Sequence, residues 1–121
     1  MKMQQIINAY KGVNELYRLP LAPRAGYALC MLRRQLEPHF KFAEEEQRKQ
    51  MEALEAQFGQ DGGIAFPDAE KAAAFNTRMQ EVLTMDVDAD FTPVTVSLDS
   101  LGNDRVYPEV FDWLDGFVTF E

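Results

Sequence analysis

Residues 24–58 read RAGYALCMLRRQLEPHFKFAEEEQRKQMEALEAQF, and the choice of fold turns on this stretch. Leu29, Leu32, Leu36, Phe40, Ala43, Gln47, Met51, Leu54 and Phe58 recur at spacings of three and four, the mark of one helical face. As a single helix the stretch would run roughly 50 Å at 1.5 Å per residue. Pro38 lies inside it. Its missing backbone donor and its ring clash predict a kink over residues 34–38. Glu44 with Arg48 and Glu45 with Lys49 form Glu-first i,i+4 pairs, which suit a solvated helix face.

Upstream, Ile6, Ile7, Tyr10, Val13, Leu16 and Tyr17 predict a first helix over Met3–Tyr17. RLPLAPR interrupts it: Pro20 disfavours helix at Leu19, and Pro23 suits the first turn of the next helix. Downstream, Gly59 suits the position just past the end of the long helix. GQDGGIAFPD then forms a loop, and Asp68 is placed to cap a third helix with the stripe Ala72, Phe75, Met79, Val82 and Leu83. The second and third helices are expected as a hairpin with the first alongside.

The last third changes character. DVDADF and TPVTVSL alternate like strands, SLGND is turn chemistry, YPEVFDWLDG reads as a short helix between Pro108 and Gly116, and FVTFE is a terminal strand candidate. The expected fold is therefore α+β and mainly α. It has a three-helix core with a long helical hairpin, and a small C-terminal β element with a short helix. The 121 residues fit one domain, with a helical part over 1–85 and a strand and short-helix part over 86–121.

Net charge is −8, unevenly spread. Residues 1–36 carry six basic side chains against one acid, a net of +5, and residues 61–121 carry three against thirteen, a net of −10. Such poles either attract each other within one fold or meet between molecules. Cys30 is the single cysteine, so no internal disulfide can form and a reducing compartment is the simpler expectation. The apolar runs fall far short of the ~20 residues that span a bilayer, and MKMQQIINAYKG has no apolar signal-peptide region. A cytoplasmic protein without membrane contact is expected.

Asp86, Asp88 and Asp90 raise the question of calcium. A calcium loop starting at Asp86 would need glycine sixth and glutamate twelfth, where the chain has Phe91 and Ser97. Alternation with Val87, Ala89 and Phe91 instead suggests the acidic face of a strand. One histidine and one cysteine do not make a usual zinc site. Cys30 and His39, nine residues apart, fall on opposite sides of a helix about 13.5 Å apart along its axis. Cys30 is expected as a buried small hydrophobe. No catalytic residue, metal site, cofactor or small-molecule ligand is expected.

Two surfaces are candidates for partners. Arg24, Arg33 and Arg34 around Tyr27 could form a basic patch, although −8 overall lacks the footprint of a nucleic-acid binder. Met51, Leu54 and Phe58 near the end of the long helix, together with Trp113, are candidate protein contacts. The other aromatics of the C-terminal cluster, Phe111, Phe117 and Phe120, are expected to pack with Leu114 on the helices.

ELYRLPLAPRAGYALCMLRRQLEPHF, a long charged helix, and VTVSLDSLGNDRVYPEVFDWLDGFVTFE occur in that order. Together they resemble a family of small bacteriophage and prophage proteins of unknown function. The resemblance covers most of the chain and lies in this pattern of segments. It implies a phage setting, with the host cytoplasm as its place, and carries over no catalytic residue. The expected function is a non-enzymatic accessory protein acting by protein–protein contact and self-association. The alternative is a small regulator contacting nucleic acid through the basic face of the second helix.

Overall fold

The computed structural model describes residues 1–59, 62–101 and 106–121. Its elements are α1 (Met3–Tyr17), α2 (Pro23–Ala53), β1 (Gln57–Phe58), β2 (Ile64–Ala65), α3 (Ala69–Leu83), β3 (Val94–Val96), a 3-10 turn (Leu98–Leu101), α4 (Pro108–Trp113) and β4 (Val118–Phe120). The fold is mainly α with small β elements, as the periodicities imply.

In α1, Met3, Ile6, Ala9, Tyr10, Val13 and Leu16 are buried, while Ile7 is half-buried and Tyr17, at the last turn, is exposed. Gly12 lies on the same face because α4 comes close. A Cβ built there would sit 2.9 Å from Cγ of Leu114, a separation that any larger residue must relieve by moving a packed helix. α2 begins at Pro23, the helical position where a missing donor costs nothing. It continues through Pro38 for 31 residues, about 47 Å. Leu29, Leu32 and Leu36 close on Ile6, Val13 and Leu16 of α1, on Val94 and Val96 of β3, and on Val110 and Leu114 at the α4 end, forming one core.

β3 and β4 pair in parallel, with Val94 opposite Val118 and Val96 opposite Phe120. A parallel pair cannot be joined by a tight turn, and here the 3-10 turn and α4 lie in the crossover. Val94, Val96 and Val118 face the core while Thr95 and Thr119 face solvent, the period-two alternation of a half-buried strand. Residues 102–104 of the expected SLGND turn lie outside the described residues.

Several expectations are corrected. α2 ends at Ala53, not at Phe58. Glu55 takes the left-handed conformation (φ 59°). The backbone N–H of Ala56 then donates to Met51 at 2.9 Å, and that of Glu55 to Glu52 at 3.2 Å. This is a helix ending that usually takes glycine, made here by a glutamate four residues before Gly59, so spacing alone could not reveal it. Gln57 and Phe58 leave the helix and pair antiparallel with Ala65 and Ile64, in a hairpin no periodicity announced. Asp68 does cap α3, accepting from the Lys71 N–H at 2.8 Å. Yet α3 has no fully buried residue, because it lies along α2 with an open groove left between them. Its stripe residues Ala72, Phe75, Met79, Val82 and Leu83 are all half-buried.

The aspartate segment is corrected too. Val87, Ala89 and Phe91 turn inward and Asp86, Asp88 and Asp90 outward, but among the described residues the segment joins no ladder beyond one antiparallel bridge between Lys2 and Asp86. Residues 1–3 supply the only edge it meets among the described residues, through Met3 N–H to Met85 O at 2.9 Å and Val87 N–H to Met1 O at 2.7 Å. Farther on, the Gln35 side chain of α2 accepts from the Thr92 N–H at 3.2 Å.

Candidate interaction surfaces

The distal end of α2 carries the first surface. Phe58 is 72% exposed and lies across the hairpin from Ile64, 42% exposed. Beside them, Met51, Ala56 and Phe58 line an open recess of about 360 Å³, rimmed by Glu44, Arg48 and Glu52. Leu54 differs from its expected role: it is 8% exposed, so it belongs to the packing that ends α2 and not to the contact surface. Ile64 is the residue that sequence reasoning missed. Its segment read as loop, and only the hairpin brings it next to Phe58.

The rim is held by charge. Arg48 donates to Glu52 at 2.7 Å and to both oxygens of Glu45. The hydrogen bond to Arg48 holds the Glu45 carboxyl below the usual carboxylate range, and the same bonds raise the guanidinium further above its ordinary value. These pairings replace the expected Glu44–Arg48 and Glu45–Lys49 pairs, and Lys49 reaches Glu46 at 3.5 Å. The Arg48 pairs are exposed and orient side chains more than they stabilise the fold.

A second concavity of about 410 Å³ opens between α1, α2 and α3, floored by Phe40, Ala43, Phe75, Met79 and Leu83. It exists because α3 rests on α2 without closing over it. The α2–α3 contact is tied at its edges by Lys71 to Glu55, and by Arg78 to Gln50 at 2.8 Å.

The three arginines of the expected basic patch are not gathered. Arg33 Nε donates to Asn14 Oδ1 at 2.7 Å, and its guanidinium lies over the Tyr17 ring at 5.9 Å, so it ties α2 to α1. Arg24, nine residues away, falls on the opposite side of the helix, about 900° around. Arg24 and Arg34 are exposed and have no carboxylate or hydrogen-bond partner among the described residues.

Trp113 is half-buried against the core and borders a recess of about 200 Å³ with Asp112, Asp115, Phe117, Gln5 and Asn8. The rest of the aromatic cluster packs as expected: Leu114 and Phe117 are buried, and Phe111 meets Phe120 edge-on at 4.8 Å.

Cys30 is half-buried, less enclosed than expected, and His39 sits edge-on to Phe91 at 5.8 Å. Among the described residues no three His, Cys, Asp or Glu side chains gather in a way that could hold a metal ion, and no helix is long and apolar enough to cross a membrane. No family model, curated protein or solved structure matches the chain.

Proposed function

We propose that this is a non-enzymatic accessory protein that works by protein–protein contact and self-associates through the distal end of α2. The observation that carries this reading is the pairing of Phe58 and Ile64, two exposed large apolar side chains, beside the Met51 recess. Exposed apolar groups scattered singly are normal, but contiguous ones mark contact surfaces. The phage setting and the host cytoplasm rest on the resemblance of the chain's segment pattern alone.

Light scattering at tens of micromolar tests the contact. In about 500 mM salt, where charge contacts are screened, the wild-type protein gives a dimer and Phe58→Asp gives a monomer. A wild-type monomer at every concentration overturns the reading. Leu54→Asp is no substitute, since Leu54 is buried and a charge there would test folding.

A further inference from the structure

The side of α2 facing away from the core carries a second, independent pattern. Arg24, Tyr27, Met31, Arg34, Pro38 and Phe42 follow at spacings of three and four. They fall within an arc of about 80°, roughly opposite Leu29, Leu32 and Leu36, in a ridge about 27 Å long. Tyr27 is 70% exposed, and Met31 and Phe42 are exposed with it. A helix face turned to solvent is ordinarily polar. This one alternates large apolar groups with two guanidinium groups that have no partner among the described residues.

The complementary surface lies on the same molecule. Lys2 to Asp86, at 2.9 Å, is the one ion pair among the described residues that joins the basic first third to the acidic second half. Asp88, Asp90, Asp99, Glu109, Asp112, Asp115 and Glu121 are all exposed without a cationic partner among the described residues. At the α4 end, Asp112 and Asp115 flank the Trp113 recess, and Tyr107 is a further exposed aromatic beside Glu109. Two carboxylates around an indole suit a guanidinium, which can pair with the former and lie against the latter.

We propose that the outer ridge of α2 in one molecule docks on the acidic α4 end of a second copy, with a ridge arginine entering the recess beside Trp113. This contact is separate from the apolar tip and extends the self-association reading. It joins two different patches, so it is heterologous: each molecule keeps one free ridge and one free α4 end, and the assembly grows head to tail unless it closes into a ring. A single helix ridge covers less than the roughly 800 Å² per partner of a standard interface. The contact is therefore weak, and its charges make it sensitive to salt.

The test uses the full chain carrying Phe58→Asp, which removes the tip contact. At tens of micromolar in about 50 mM salt the average mass exceeds that of the monomer, and it returns to the monomer at about 500 mM, where screening shortens the reach of charge. Adding Arg24→Gln/Arg34→Gln, or separately Asp112→Asn/Asp115→Asn, gives monomers at low salt. All four side chains are exposed, so the variants keep the circular dichroism and melting of their parent. Mixing the two variants one to one restores a dimer and nothing larger, because one supplies the intact ridge and the other the intact α4 end.

A monomeric parent, association that survives in either variant, or a mixture that stays monomeric overturns the proposal. A duplex-DNA gel shift at low micromolar protein, lost in Arg24→Gln/Arg34→Gln, also overturns it and assigns the ridge to nucleic acid. The tip reading fails separately: there Phe58→Asp leaves the wild-type mass unchanged in high salt.

Discussion

The two halves of α2 obey one periodicity and meet different fates. In the first half, Leu29, Leu32 and Leu36 are sealed by α1, β3 and the α4 end. In the second half, Ala43 is still buried, but the same stripe then passes through Gln47, which is exposed, and Met51, which is half-buried, before Leu54 is covered again where the helix stops. The covering element there is α3, which lends no fully buried residue of its own. A helical stripe states which face prefers apolar company. How completely that face is covered depends on how many elements converge on it: α1 reaches Phe40 and borders the groove at Ala43, and beyond it α3 and the small hairpin are what accompany the distal half among the described residues.

Core truncation breaks this comparison with the largest effect. Leu36→Ala leaves a cavity among α1, α2 and β3 and lowers stability by about 2–5 kcal/mol. Phe75→Ala removes a larger side chain from half-buried α3 and costs about 1–2 kcal/mol. Urea denaturation of both variants checks the order, and a Phe75→Ala cost equal to that of Leu36→Ala would erase the distinction between the halves.

Gly12→Val probes how tightly the first half is closed. The added side chain must displace Leu114, and stability falls by about 1–3 kcal/mol. A neutral result in the same denaturation experiment would mean that α4 can move away from α1 freely.

Asp68→Ala sharpens the contrast from the other side. Losing the cap costs about 1 kcal/mol, and the loss is confined to α3. Hydrogen exchange should show α3 amides opening more readily than those of α1 in the wild type, and more so in the variant, while α1 protection changes little.

The smallest effect lies where the chain start is tied to the aspartate segment. Hydrogen bonding to Lys2 holds the Asp86 carboxyl below its ordinary pKa. Because the folded value is the depressed one, its contribution is present above the unfolded carboxylate pKa and is lost as pH falls through the folded value. Melting followed on acidification should therefore show a slightly shallower loss of stability for Asp86→Asn than for wild type.

The sequence by itself determined the elements with local causes. The bounds of α1 follow from its stripe, the start of α2 from Pro23, the cap of α3 from Asp68, and the positions of β3, α4 and β4 from alternation, proline and glycine. These signals act within a few residues, so one chain suffices to read them. The outer ridge of α2 was equally legible as a second three-and-four spacing, though the stronger leucine stripe concealed it. Tertiary structure alone decided where α2 stops, because Glu55 adopts a left-handed turn that its identity does not favour. It alone set Ile64 beside Phe58, turned Arg33 inward to Asn14, paired β3 with β4 in parallel and left α3 half-covered. Each of these depends on which distant surfaces meet, and a spacing along one chain carries no record of that.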